Sequence, residues 1–214
     1  CAGKIANLAS VDFISAGAET PYFGVSAASL NPISGSLVIS KDSVTIASIP
    51  LKESLDVGRR VPISRLSARM TLASGTYQVS STLTSASGTA SDAVQLEVFD
   101  EPTVVSVSSQ GALNTQLQSF KASSSSHLKI VLASGSYYYP VGSQYDLSTS
   151  RKLVSIEANG SVTFLATNPV NLKYGHWLRV IFSNPTGAGF TSLDGSCHVF
   201  RRCQFSNSLV GLLS

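Results

Sequence analysis

Short apolar runs broken by turn residues fill the first hundred positions. They are Val11–Ile14, Tyr22–Val25, Leu37–Ile39, Val44–Ile46, Met70–Leu72, Tyr77–Val79 and Val94–Val98. Each is too short for a helix, and several alternate apolar and polar residues with period two, the pattern of a half-buried strand. In the last run Val94, Leu96 and Val98 face one way, and Gln95 and Glu97 the other. Seven short strands over this length predict an immunoglobulin-like β-sandwich. Asp100-Glu101-Pro102 joins two acids to a proline, a natural boundary, so the first domain is placed at 1–102.

The pattern changes in the second domain, 103–214. Leu113, Leu117 and Phe120 fall on one face of a helix over 111–121, stopped by the serines from Ser123 to Ser126. Beyond it, apolar clusters recur at a coarse period. Taking Ile130, Ile156, Leu178 and Val199 as markers, the steps are 26, 22 and 21 residues. A period of roughly 20 to 30 residues with short strands and no intervening helix predicts rungs that stack, because one rung cannot bury its own face. The fold class is therefore all-β: a sandwich followed by the first coils of a right-handed parallel β-helix. A second sandwich over 103–214 is the alternative. It draws on the recurrence of Leu72-Ala73-Ser74-Gly75-Thr76-Tyr77 in Leu132-Ala133-Ser134-Gly135-Ser136-Tyr137.

Composition suits β-structure. Hydrophobic residues make up 43% and charged residues only 13% of the 214, against about 25% charged in ordinary globular domains. Serine and threonine take the remainder, and they tolerate a pleated, half-wet face. The net charge of +3 is dispersed. Only Arg59-Arg60, Arg151-Lys152 and Arg201-Arg202 are adjacent, so no basic face for nucleic acid is expected. No apolar run reaches the roughly 20 residues needed to span a bilayer.

Two stretches carry a family resemblance. Ala73-Ser74-Gly75-Thr76-Tyr77-Gln78-Val79 followed by Ser87-Gly88-Thr89-Ala90-Ser91-Asp92 resembles bacterial immunoglobulin-like modules. The helix followed by Ile130-Val131-Leu132-Ala133-Ser134-Gly135-Ser136-Tyr137 looks like the opening of right-handed β-helix proteins of the pectate-lyase type, where a capping helix precedes the first coil. Val154 to Phe164, Tyr174 to Val180 and Ser196 to Phe205 resemble the second, third and fourth coils. The order is similar to polysaccharide lyases acting on alginate or chondroitin-type chains. Such lyases need about eight or more coils, and their catalytic residues and calcium-binding acids come from coils this chain does not reach. The resemblance therefore implies a polysaccharide-engaging protein, a fragment of a lyase-like β-helix, with no catalytic residue to carry over. Calcium enters only through the resemblance, and no other cofactor is evident.

Candidate chemistry is sparse. Tyr138 and Trp177 could stack on the apolar faces of sugar rings. Arg179, Arg201 and Arg202 could contact a uronate carboxylate, although no paired base is visible. The histidines are His127, His176 and His198. Cys197-His198 with Cys203 has no standard zinc spacing, so no metal site is expected. Parity along one strand places Cys197, Val199, Cys203 and Phe205 together, with a disulfide between the two thiols left open. Asn159-Gly160 is read as a turn.

Cys1-Ala2-Gly3-Lys4 looks like the mature start of a bacterial lipoprotein, with the lipid on Cys1. That start implies an extracellular or outer-membrane-anchored location and membrane contact only through the lipid. A second functional class is a structural lipoprotein, filament or adhesin subunit. It would assemble through open β-edges with another chain or as a homo-oligomer, the apolar C-terminal edge being the candidate.

Overall fold

The computed structural model describes residues 8–9, 13–15, 24–25, 33–50, 72–85, 88–165, 167–184, 190–193 and 195–206. Cys1, Arg59-Arg60, the apolar stretch 208–213 and parts of the strands expected at Val11, Tyr22 and Met70 lie outside these residues. The described chain is mostly β, with one α-helix. It divides into two compact units, Ala2–Asp100 and Glu101–Ser214.

The first unit contains β1 (Leu8–Ala9), β2 (Phe13–Ser15), β3 (Gly24–Val25), β4 (Ile33–Lys41), β5 (Val44–Pro50), β6 (Gly75–Ser85) and β7 (Gly88–Phe99). Five of them form a sheet in the order β2-β7-β6-β4-β5, antiparallel except where β2 joins β7. Alternation sends Leu37, Ile39, Tyr77, Val79, Leu96 and Val98 to the buried side. The opposite side is polar: Thr82 pairs with Ser91 at 3.1 Å, and Thr76 donates to both carboxylate oxygens of Glu97. Leu72 is buried but outside any strand. Asp42 and Ser43, both at positive φ, make the tight turn between β4 and β5.

The second unit contains β8 (Thr103–Val107), α1 (Gln110–Ala122), β9 (His127–Tyr137), β10 (Leu153–Leu165), β11 (Tyr174–Leu178), β12 (Ile181–Ser183), β13 (Cys197–Arg201) and β14 (Gln204–Ser206). Every strand pair in this sheet is parallel. Successive strands stack as β8-β9-β10-β11-β13, and beyond a bend as β10-β12-β14. Parallel neighbours need a crossover rather than a hairpin, and register partners on successive strands lie 21 to 26 residues apart along the chain, as in Val105, Ile130, Ile156, Trp177 and Phe200. The second-sandwich alternative, which requires antiparallel hairpins, does not describe this region.

One inward column runs Val105, Ile130, Ile156, Trp177 and Phe200. The periodicity markers Ile130 and Ile156 are in register. The next two are each one residue off, since Trp177 and Phe200 occupy the column and Leu178 and Val199 face outward. A slip of one residue reverses every side chain, and burying the two large rings outweighs burying Leu178 and Val199. A second column, Tyr137, Phe164, Phe182 and Phe205, lies past the bend. Some rings meet edge-to-face, as in Phe164 against Trp177 at 5.1 Å and Trp177 against Phe182 at 5.2 Å, and others stack, as in Trp177 on Phe200 and Phe182 on Phe205.

The helix covers one end of this core with Leu113, Leu117 and Phe120. Ser109 caps it by accepting from the Ala112 amide at 3.2 Å. Lys152 closes the other end: its Nζ donates to the carbonyls of Phe120, Ser123 and Ser125 and lies 4.4 Å from the Phe120 ring centroid. Asn159-Gly160 is a bulge inside β10, not a turn between strands. Gly160, at φ 108°, sits where a Cβ would be 2.3 Å from Ser134 Oγ.

Candidate functional site

The bend between paired strand segments is made the same way on two successive rungs. Arg179 follows β11 at φ 60°, and Arg202 follows β13 at φ 52°. A left-handed conformation disfavours side chains other than Gly, Asn and Asp by roughly 1 kcal/mol, yet both corners carry arginine. The Arg179 amide donates to the Arg201 carbonyl at 2.9 Å, and the Gln204 amide to the Val180 carbonyl at 3.1 Å, so the corners are stacked by backbone hydrogen bonds. Arg179, Arg201 and Arg202 are all exposed.

Glu157 supplies the counter-charge. It lies opposite Leu178, which in turn lies opposite Arg201. Its carboxylate bridges Lys129 at 2.7 Å and Arg179. The hydrogen bond from Lys129, reinforced by the charges of Lys129 and Arg179, holds its carboxyl below the usual carboxylate range, and it is ionised at neutral pH. Two cations therefore hold one acid, and the side chains of Arg201 and Arg202 form no ion pair among the described residues. His176 lies on the same outward face, with Nε2 buried and unbonded. Burial, then the charges of Arg201 and Lys129, lower its pKa and keep the ring neutral.

The structure thus brings Arg179, Arg201 and Arg202 together and separates them from the two aromatics. Trp177 is 0% exposed in the core, packed on Phe164, Phe182 and Phe190. It cannot offer a face to a sugar ring, because inward register takes it out of solvent. Tyr138 is 43% exposed but stands beside α1, where Gln110 accepts from its amide at 2.9 Å and donates to its carbonyl at 3.0 Å.

The cysteine parity is also corrected. The Arg202 corner breaks the alternation, so Cys197 and Val199 take the outward side while Cys203 and Phe205 pack on the core. Cys203 is a free thiol, and the Cys197–Cys203 disulfide is not formed. Burial raises its pKa, so it stays protonated and unreactive at neutral pH.

Two histidine environments escaped the sequence reading. His127 Nε2 and Ser155 Oγ lie 2.8 Å apart on neighbouring rungs, both buried, a hydrogen bond that ties strands rather than an exposed nucleophile. His198 turns inward over Gly175, where a Cβ would be 2.2 Å from its Nδ1. That nitrogen accepts from Trp177 Nε1 at 3.2 Å, and Nε2 is buried without a partner. Burial pushes the His198 pKa down to about 4. The register pair Gly175–His198 is the one signal of this packing in the sequence, and it becomes readable only when the rung period is known to the residue.

Among the described residues no group of three or more histidine, cysteine or carboxylate side chains could hold a metal ion. No helix of the described chain is long and apolar enough to cross a membrane.

The sequence matches no protein-family model and no curated protein. Among solved structures, two of a β-glucuronidase from Parabacteroides merdae are similar at 10% and 11% identity, the second with glycerol in its active site. They cover 83% and 82% of this chain and 29% and 28% of theirs, with TM-scores of 0.37 and 0.34. An engineered protein is 16% identical over 40% of this chain and 17% of its own, with a TM-score of 0.28. The chain spans less than a third of each, and these likenesses are too slight to assign a fold family or an activity.

Proposed function

We propose that residues 101–214 form the opening coils of a right-handed parallel β-helix resembling polysaccharide lyases, preceded by an immunoglobulin-like sandwich. In this reading the arginine corner engages the carboxylate or sulfate groups of an acidic polysaccharide. The observation that carries it is the repeated placement of arginine at a left-handed corner on two stacked rungs, beside an exposed Arg201. A strained non-glycine position points to function because the same backbone would be less strained with glycine. Arginine is the side chain best suited to fork onto a planar carboxylate or a sulfate.

Parallel strand–crossover–strand connections are right-handed in almost all proteins, which supports the handedness. The helix over one open end matches the capping helix expected from the resemblance. In this reading the corner acts by binding and not by elimination. Such a protein fits the cell exterior.

Affinity electrophoresis through gels containing pectate, alginate, chondroitin sulfate or neutral dextran tests this reading. Retardation is expected in at least one acidic gel and not in dextran, with loss in an Arg201→Ala/Arg202→Ala variant. Equal mobility in all four gels at low ionic strength sinks the proposal. Incubation with the same acidic glycans is expected to yield no unsaturated uronate absorbance.

A further inference from the structure

We infer that Cys197 is joined to Cys1 by a disulfide that fastens the start of the chain to β13. The inference is independent of glycan binding. Cys197 is disulfide-bonded. The chain holds three cysteines, Cys1, Cys197 and Cys203. Cys203 is a free thiol, which leaves Cys1 as the partner. Cys1 itself lies outside the described residues, so the assignment rests on the two cysteines that are described. The division of the chain agrees with it: Cys1 groups with Glu101–Ser214, although Ala2–Asp100 form the other unit.

The fold explains why the nearer cysteine is passed over. Cys197 opens β13 on the outward side, opposite Tyr174 of β11. The left-handed corner at Arg202 turns Cys203 toward the core. There its Sγ lies 3.4 Å from the carbonyl oxygens of Trp177 and Arg201, which can accept its proton in a hydrogen bond. A disulfide needs two Cβ atoms roughly 3.5–4.5 Å apart and turned toward each other. Opposite sides of the strand do not provide that. Burial also raises the Cys203 pKa and keeps its thiolate scarce, so exchange chemistry does not select it.

Forming the bond removes two protons and two electrons from the two thiols. A small disulfide such as oxidised glutathione takes them up. One protein thiolate attacks it and releases the first glutathione thiol, and the second protein thiolate displaces the other from the mixed disulfide. The bond therefore belongs to an oxidising compartment. It also occupies the Cys1 sulfur that a thioether-linked lipid would need. Among the described strands β13 has β11 as its one neighbour. A cross-link that closes almost the whole chain into one loop restrains the unfolded state strongly and holds that outer strand in place.

Peptide mapping of the whole chain tests this. The protein is equilibrated with reduced and oxidised glutathione, alkylated without further reduction and digested with trypsin. Cuts after Lys4, Arg179, Arg201 and Arg202 leave the three cysteines in separate peptides. The expected result is Cys1–Lys4 linked to Val180–Arg201, with the alkyl label on Cys203 alone, and label on all three cysteines after prior reduction. Trp177, the one tryptophan, reports unfolding of the second unit by its fluorescence. Reductant is expected to lower that midpoint by roughly 5–15 °C in wild type. Cys1→Ser and Cys197→Ser are expected to start at the lower value and stay there. Label on all three cysteines without reduction, a Cys197–Cys203 link or a lipid on the Cys1 sulfur overturns the inference. A linked peptide whose reduction leaves the wild-type midpoint unmoved overturns the claim that the bond fastens β13.

Discussion

The two units reach an all-β fold by opposite routes. In the first, long β6 and β7 pair antiparallel, and one side of the sheet is polar. In the second, every strand lies parallel to its neighbours, and the core is a pair of aromatic columns running through the rungs. Antiparallel pairing lets each residue be judged by its own alternation. Parallel stacking makes the fate of a residue depend on its register with residues about 20 to 26 positions away. That dependence concentrates chemistry, because a corner position recurring on successive rungs places Arg179 and Arg202 in one stack.

The largest test of this contrast is Trp177→Ala. It removes the ring at the junction of Phe164, Phe182 and Phe190 and is expected to cost about 3–5 kcal/mol in denaturant unfolding. An exposed hydroxyl of the first sheet, as in Thr82→Ala, should cost within about 0.5 kcal/mol. Equal effects would mean that the aromatic columns do not dominate.

Acid is the next lever. His198 is neutral in the fold with a pKa near 4, while the unfolded chain takes up its proton near 6.5. Stability is thus complete above pH 6.5, falls as the pH drops toward 4, and is then lower by about 3 kcal/mol. Denaturant titrations at pH 7, 5.5 and 4 should show this slope in wild type and a flatter one in His198→Phe. A smaller effect is expected for Gly175→Ala, about 1–3 kcal/mol, because the new methyl meets His198 Nδ1. His198→Ala opens that space, so the double variant should lose less than the two single losses combined.

The smallest expected change has the opposite sign. Arg202→Gly relieves the left-handed corner and should raise stability by up to about 1 kcal/mol in thermal unfolding, while weakening retardation by acidic glycans. A gain in stability together with undiminished glycan retention would separate the corner from binding.

Much of this architecture was readable in the sequence. The β class, the helix that became Gln110–Ala122 and the in-register pair Ile130–Ile156 followed from periodicity alone. The candidate site was legible only in part. Arg179, Arg201 and Arg202 were singled out by charge, but Glu157 and Lys129, which complete the corner, carried no local motif. Trp177 was misread because a coarse period fixes a rung to within a residue, and one residue decides between core and solvent. The Arg202 corner defeated the cysteine parity for the same reason: alternation holds only within an unbroken strand.

Parallel register in the second unit underlies both its core and its corner, and cross-strand nuclear Overhauser contacts in isotope-labelled protein read that register directly. Contacts linking Val105, Ile130, Ile156, Trp177 and Phe200 rung by rung, without close Hα–Hα pairs between successive strands, are the predicted result. Close Hα–Hα pairs between β10 and β11 or between β11 and β13, the mark of antiparallel neighbours, would contradict the stack and dissolve the arginine corner with it.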